Sequence, residues 1–286
     1  MTLFLRNLAI LGLAFLASGI AAAQEGGVPA EHHPWGRFPV GSWKLTRVIN
    51  ENLDPLGNVT GTSIHETRTT LIAANASTYT LRYDVTTESS GKRFINKSQT
   101  TVLGYSGNAA GEKPSAKKIG DGEVEVNGRK IPCQVRQIHI EGPGTTYEGT
   151  VYFNPTLSPY VLRKEGTATG AADGPKTTIS VEVVALAPVR VLADRRNAAF
   201  IRTIEKKADR TTTTLETTCD DIPGGEVARS SQEQNAEHKT LRRTTLELLD
   251  YSIGNERPDE NWGGRRRVLH RPRRHRGEEM QTSPRR

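Results

Sequence analysis

The stretch Thr78–Val85 reads Thr-Tyr-Thr-Leu-Arg-Tyr-Asp-Val, and it decides the fold class. Its apolar residues Tyr79, Leu81, Tyr83 and Val85 alternate with polar ones. A period of two places all four apolar side chains on one face of a β-strand. The stretch therefore predicts a strand that is buried on one side and solvated on the other, as is typical of antiparallel sheets.

The same alternation recurs along the chain, separated by turn sequences. The clearest further strand signals lie in Trp43–Ile49, Glu123–Ile131, Tyr147–Phe153, Thr177–Leu186, Arg210–Cys219 and Thr240–Asp250. Asn127-Gly128 is the pair that favours a type I′ hairpin turn. The chain also holds 32 Thr, 27 Gly and 15 Pro, a composition that favours strands and turns over helices. We expect a mainly β protein built from antiparallel strands.

Two places depart from the regular alternation. The apolar residues of Ala193–Ala208 follow a helical spacing and favour a short helix, although a loop that enters another strand is the alternative. The apolar phase changes from odd to even positions near Arg136-Gln137, which suggests a β-bulge there. The fold class therefore allows at most one or two short helices.

The ends of the chain differ from its middle. Residues 1–23 resemble a secretory signal, with Arg6 followed by an apolar run and Ala21-Ala22-Ala23 at the cleavage position. An uncleaved membrane anchor is the alternative, but the apolar run is short for a span of about 20 residues. We expect an exported protein, periplasmic or extracellular, with no membrane span in the mature chain. Residues 24–40 form a flexible leader, residues 41–254 the β domain and residues 255–286 a disordered tail.

The formal charge of +7 is a property of the tail. Residues 263–286 hold nine Arg and two Glu, while residues 24–262 carry a net charge of −1. Such a run attracts polyanions, although a solvated, dispensable tail or an artefact of gene prediction are the alternatives. No aromatic residue follows Trp262, so stacking on nucleic-acid bases is not expected. The candidate polyanion-binding residues are Arg265, Arg266, Arg267, Arg271, Arg273, Arg274 and Arg276.

Export would place the two cysteines, Cys133 and Cys219, in an oxidising compartment. They form either one disulfide or two buried thiols, and the sequence does not decide between them. No catalytic signature is present: the chain has no P-loop and no GxSxG or HExxH motif. The adjacent His32 and His33 are expected to be solvated in the leader. We therefore expect no enzyme activity, no metal and no cofactor.

The Thr-rich strands after the signal sequence resemble those of exported bacterial proteins of the LolA/LppX-like superfamily. The segment Ile131-Pro132-Cys133-Gln134-Val135 and the hairpin from Tyr152 through Ser158-Pro159-Tyr160-Val161-Leu162-Arg163 carry the resemblance. It covers about Gly41–Gly254. The resemblance implies a curved antiparallel sheet, a half-barrel or open barrel, whose concave face forms an apolar cavity for a lipid, an acyl chain or another hydrophobic ligand.

Two functions follow as expectations. The first is a non-enzymatic binding protein whose half-buried sheet faces a hydrophobic small molecule or lipid. The second is a structural or interaction module of the cell envelope, with the basic tail as its polyanion-attracting element. The candidate residues for a ligand-binding inward face are Trp43, Tyr79, Leu81, Tyr83, Val151, Phe153, Val181 and Val183, and each of them also fits an ordinary core position.

Overall fold

The computed structural model describes residues 30–105, 113–142, 144–170 and 174–254. The described residues hold fourteen β-strands, one short 3-10 helix at Ala30–His32 and no α-helix. The prediction of a mainly β, antiparallel fold is therefore confirmed. None of the described helices is long and apolar enough to cross a membrane. The expected signal sequence, the leader up to residue 29 and the arginine-rich tail lie outside the described residues.

The strands follow one another with short connections. In chain order they are β1 (Trp43–Leu53), β2 (Val59–Ala74), β3 (Thr78–Ser89), β4 (Lys92–Ile95), β5 (Gln99–Gly104), β6 (Lys113–Val126), β7 (Arg129–Glu141), β8 (Thr145–Phe153), β9 (Val161–Gly170), β10 (Lys176–Val191), β11 (Asp194–Lys206), β12 (Arg210–Thr218), β13 (Glu226–Asn235) and β14 (Thr240–Ser252). Asn127 and Gly128 both have positive φ between β6 and β7, at the predicted tight turn.

All fourteen strands belong to one antiparallel sheet. Their order across the sheet is β4-β3-β2-β1-β14-β13-β12-β11-β10-β9-β8-β7-β6, and β5 also pairs with β3. The first strand, β1, lies between β2 and the last strand, β14. The sheet therefore consists of two meanders joined where the first and last strands meet, with β6 at one edge and β4 and β5 at the other.

The sheet is rolled, and residues 30–42, which we call the cap segment, contact strands from distant parts of it. The His32 ring stacks on Tyr160, just before β9, at 4.2 Å, and the adjacent His33 ring lies 4.7 Å from Tyr79 of β3. In a flat sheet, β3 and β9 would be eight strand spacings apart, about 38 Å. Only a strongly curved sheet allows two consecutive residues to touch both strands, and the sheet is not closed into a barrel, which confirms the expected half-barrel or open barrel.

A second contact shows the curvature at the β6 edge. The Asn127 side chain donates a hydrogen bond to the Leu186 carbonyl and accepts one from the Leu186 backbone N–H, each at 2.9 Å. Leu186 is in β10, four strands away from β6 in the sheet order. The hairpin of β6 and β7 therefore bends over the face that β8, β9 and β10 present.

Three hydrophobic clusters make up the core. The largest fills the curve between β6 and β11; its buried members are Val124, Val126, Cys133, Ile138, Ile140, Tyr147, Val151, Phe153, Leu162, Ile179, Val181, Val183, Ala199 and Ile201. The second surrounds the β12–β13 loop and contains Val191, Ala198, Cys219, Ile222, Val227 and Leu248. The third joins the cap segment to β2 and β3 and contains Trp35, Leu71, Tyr79, Leu81 and Tyr105.

The expected helix at Ala193–Ala208 is wrong. The segment forms β11 and pairs along most of its length with both β10 and β12. Its burial pattern alternates only in part, because the consecutive residues Ala198 and Ala199 are both buried, so the strand is covered on both faces there. Apolar residues on both faces gave a spacing that imitates a helix, and tertiary pairing overrides that local preference.

The bulge that was expected near Arg136-Gln137 lies in the neighbouring strand. The register shifts in β6 between Lys118 and Gly120, opposite Val135 and Arg136, so Ile119 is the extra residue. The pairing of β7 with β8 is regular through the same region. The change of apolar phase in β7 therefore lies opposite a bulge in its partner strand β6 and not at a bulge of its own.

The expectation of a flexible leader is wrong for the cap segment. Trp35 is buried against β2 and β3, and the Gly224 N–H of the β12–β13 loop donates a 2.9 Å hydrogen bond to the Pro34 carbonyl. Arg37 pairs with Asp220 of the same loop at 3.1 Å. Pro34, Gly36 and Pro39 do not mark disorder; they let the chain turn closely against the end of the sheet.

Gly224 provides a direct test of the cap. It has a φ of 74°, and a Cβ there would approach the Trp35 indole to 2.7 Å. Gly57 has a φ of 88° with no atom within 4 Å of such a Cβ, so it is the matched control for backbone strain alone. We expect Gly224→Ala to lower the free energy of unfolding by about 1–3 kcal/mol more than Gly57→Ala, because of overpacking against Trp35. Equal losses in urea unfolding would contradict this packing.

Candidate functional site: buried cations on the inner face

The inner face of the rolled sheet is defined by the side chains that enter the three clusters. In β8 the buried members are Tyr147, Val151 and Phe153, with Gly149 in phase between them, whereas Tyr152 has the opposite phase and is only partly buried against the same cluster. The register carries this face across neighbouring strands: Val151 pairs with Lys164 of β9, which in turn pairs with Val181 of β10. A lysine thus lies in the middle of an apolar row.

The Lys164 side chain is held inside the largest cluster. Its ammonium group lies 4.3 Å from the centroid of the Tyr147 ring, and the residue is only 2% exposed. Burial lowers the pKa of Lys164 to about 7, and the nearby carboxylate of Glu205 opposes this shift. Burial also raises the pKa of Glu205. A lysine with this pKa can change its charge near neutral pH, and such perturbed groups cluster at functional sites.

Two paired glycines leave the space that the Tyr147 ring occupies. Gly149 of β8 and Gly166 of β9 lie directly opposite each other in the sheet. A Cβ at either position would collide with the Tyr147 hydroxyl, so the ring lies flat over the space that two side chains would otherwise fill. The Tyr147 hydroxyl is buried without a hydrogen-bond partner among the described residues. The result is a buried hydroxyl beside a buried ammonium group.

A second cation lies in the same row. Arg136 of β7 pairs with Val151 in register, and its guanidinium group lies 4.2 Å from the centroid of the Phe153 ring. It also donates a 2.7 Å hydrogen bond to the Gln134 side chain. Arg136 is half-buried, and burial lowers its pKa. Lys164 and Arg136 therefore flank Val151, each stacked on an aromatic ring of β8; we call Arg136, Tyr147, Phe153 and Lys164 the cationic site.

A different buried charge group, centred on Lys44, lies near the cap end of β1. Lys44 Nζ donates to the Glu226 backbone carbonyl at 3.4 Å, and the side chains of Glu216, Glu226 and Arg229 surround it. Arg229 lies 3.3 Å from Glu226. Burial lowers the pKa of Lys44, and the two glutamates raise it. With two acids and two bases this group is neutral, which fits a structural network better than a binding site for a charged ligand.

The candidate ligand-binding residues from the sequence separate into two clusters and one outlier. Val151, Phe153, Val181 and Val183 lie in the largest cluster. Tyr79 and Leu81 lie in the cap cluster, with Tyr83 packed against it. Trp43 lies on the outer face, where the Arg68 guanidinium group stacks over its indole at 4.1 Å, and Lys44 occupies the inner face instead. The inward placement of Trp43 is therefore wrong, because apolar size alone does not fix the phase of a strand covered on both sides.

The two cysteines are free thiols, so the second of the two alternatives holds in this structure. Cys133 lies in the largest cluster and Cys219 in the cluster of the β12–β13 loop. Burial raises the pKa of both thiols, to about 11 for Cys219. Buried thiols with raised pKa values behave as apolar core residues. The seven candidate tail arginines lie outside the described residues, and the polyanion hypothesis remains a prediction.

Sequence reasoning missed the cationic site and the role of the cap segment. His33 is buried and accepts hydrogen bonds at Nδ1 from the backbone N–H groups of Trp35 and Gly36, at 3.1 and 3.3 Å. Burial lowers its pKa to about 3. The signal that could have found the cationic site is the pair of strand glycines, Gly149 and Gly166, since a glycine inside a strand often marks a close approach of another group.

Comparisons with known proteins add little to this picture. No protein-family model and no curated protein matches the sequence. A solved structure from Bacteroides fragilis, of a protein described as exported with a YmcC-like fold, is 12% identical over 74% of this chain and 97% of that chain, with a TM-score of 0.31. A protein from Parabacteroides distasonis, described as a lipoprotein, is 10% identical over 75% and 97%, with a TM-score of 0.32. At such TM-scores, neither likeness supports a statement about function.

The buried ammonium group of Lys164 predicts a specific pH dependence. Its pKa in the folded protein is about 7, below the ordinary value of 10.5, so the unfolded chain binds more protons between these pH values. Stability should therefore rise with pH across this window, by at most about 1.4 kcal/mol per unit of pKa difference. We expect the stability advantage of Lys164→Met over the unsubstituted protein to shrink between pH 7 and pH 10 in urea unfolding.

The exposed Lys130 serves as the control for this pH dependence, because its side chain is 75% exposed. The difference between Lys130→Met and the unsubstituted protein should stay constant between pH 7 and pH 10. A constant difference for Lys164→Met as well would show that the ammonium group is not buried in the folded protein.

Proposed function

We propose that this chain is an exported, non-enzymatic binding protein whose rolled sheet shelters a hydrophobic ligand. The single observation that carries the proposal is the curvature itself: one face of a fourteen-stranded sheet is turned inward and lined with apolar side chains. No α-helix among the described residues covers this sheet, and an apolar sheet face must be buried against another surface. Here the cover is the sheet's own curve and, at one end, the cap segment.

The arrangement of the inner face supports a ligand that enters lengthwise. The cap segment joins β3 to the β8–β9 loop and covers one end of the rolled sheet. Next to that end, the inner face between β8 and β11 is apolar, with Phe153, Leu162, Val183 and Ile201 buried. An apolar wall closed at one end by packed residues suits a chain-like hydrophobic group, since such sites are concave and largely apolar.

Two features of the sequence agree with this proposal. The N-terminal pattern of Arg6, an apolar run and Ala21-Ala22-Ala23 favours export. The resemblance to LolA/LppX-like proteins implies a half-barrel that shelters a lipid or acyl chain. A hydrophobic ligand that is carried outside the cytoplasm needs such a sheltered site, because contact of an acyl chain with water is unfavourable.

The proposal is tested with adjacent residues of β10 that differ in burial. Val183 is buried on the inner face, and Val184, at the bulge where the pairing with β11 shifts register, is 39% exposed. We expect an apolar fluorescent dye to bind the purified protein, and Val183→Thr to weaken that binding several-fold because it places a hydroxyl in the apolar wall. Val184→Thr should leave the dye affinity unchanged.

Native mass spectrometry after gentle purification gives an independent readout. We expect a retained hydrophobic species that is released on denaturation. A protein that is folded by circular dichroism, yet retains no such species and binds no dye, would contradict the proposed function. Equal effects of the two valine substitutions would place the dye outside the inner face and contradict it as well.

A further inference from the structure

We infer that the hydrophobic ligand is a single-chain amphiphile with an anionic oxygen head group, and that Lys164 and Tyr147 bind this head. The inference rests on the proposed function and names the ligand class that its site would take. It depends on a feature that an ordinary hydrophobic core does not need: a cation and an unpartnered hydroxyl placed together on the inner face.

The two groups lie side by side on the inner face. The Lys164 ammonium group lies 4.3 Å from the Tyr147 ring centroid, and the Tyr147 hydroxyl lies over Gly149 and Gly166. Tyr147 is 7% exposed, and its hydroxyl has no hydrogen-bond partner among the described residues. A buried hydroxyl normally finds a partner. An oxyanion between the two groups would accept a hydrogen bond from each.

The inner face also gives the amphiphile a direction. From the cap end outward, the successive inner positions of β9 are Leu162, Lys164 and Gly166, and Tyr147 follows in the neighbouring strand β8. The apolar wall of Phe153, Leu162 and Val183 therefore lies on the cap side of Lys164. An acyl chain would extend from Lys164 towards the cap segment, and its head would point away from it.

The surrounding charges favour an anion over a cation. Arg136 lies in the same row on the other side of Val151, and Lys118 pairs with Arg136 in register at the free edge of the sheet. Lys118 is half exposed and bonded to Asp121 at 2.7 Å. Glu205 is the acid whose charge acts on Lys164. Three bases thus lie along one row from the sheet edge inward, and they outnumber the two acids beside them, Asp121 and Glu205, by one charge.

The test compares ligands that differ only in their head or their chain. An apolar fluorescent dye is displaced from the full chain at pH 6 by dodecanoate, by dodecanol or by acetate. We expect dodecanoate to displace the dye at least about tenfold more strongly than dodecanol, since a hydrogen bond to a charged group contributes about one order of magnitude or more. Acetate, which has the head without the chain, should not displace it.

Two substitutions assign the preference to the site. Lys164→Met should reduce the ratio between dodecanoate and dodecanol to about one while dodecanol still binds, and Tyr147→Phe should reduce it several-fold because only the hydroxyl is lost. Arg163→Met is the control, because Arg163 is the next residue in β9 and points to the outer face, where it pairs with Glu165. It should keep the full preference. Circular dichroism confirms that each variant is folded.

The failures of the two proposals can be told apart. Equal binding of dodecanoate and dodecanol by the unsubstituted protein, or a preference that survives in both Lys164→Met and Tyr147→Phe, would overturn the head-group site and leave the hydrophobic-ligand function standing. If acetate displaced the dye as strongly as dodecanoate does, the site would bind a simple anion, and the proposed amphiphile would be wrong. A folded protein that binds neither the dye nor any of the ligands would overturn both proposals.

Discussion

Two consecutive histidines contact strands that are far apart in the strand order, and the rest of the structure depends on this constraint. His32 stacks on Tyr160 beside β9, and His33 packs against Tyr79 of β3. A sheet of this width has a large apolar face, and no α-helix of the described residues is available to cover it. Rolling the sheet turns that face inward, and the cap segment holds the roll at one end. The inner face, its apolar wall and its buried cations all follow from this geometry.

The roll also explains why charged residues lie inside the protein. Lys44, Lys164 and Glu216 are each less than a tenth exposed, although they belong to strands that a flat sheet would leave solvated on one side. Burying a charge is costly unless it is compensated. Around Lys44 the compensation comes from acidic and basic neighbours. Around Lys164 it comes from the Tyr147 ring and from Glu205, which makes this buried ammonium group the basis of the proposed head-group site.

How much of this could be predicted from the sequence differs from element to element. Strands with one solvated face, such as β3, were predictable, since alternation of apolar and polar residues reports a half-buried strand. β11 was not, because it is covered on both faces at Ala198 and Ala199, so its apolar residues do not keep the period of two. The cap segment was misjudged for another reason: its burial depends on Gly224 and Asp220, about 190 residues later in the chain, and no local pattern records that contact. Lys164 could not be found from spacing, because a lysine in a strand is usually solvated.

The most direct test of the account is a distance across the rolled sheet. Spin labels at Ala76→Cys, just before β3, and Pro155→Cys, in the loop between β8 and β9, occupy exposed positions, and the buried Cys133 and Cys219 are replaced by alanine. Pulsed electron paramagnetic resonance should then give a distance well below the roughly 38 Å that eight strand spacings of a flat sheet require. A distribution centred near or above that distance would contradict the rolled sheet, and with it the inner face that the proposed function needs.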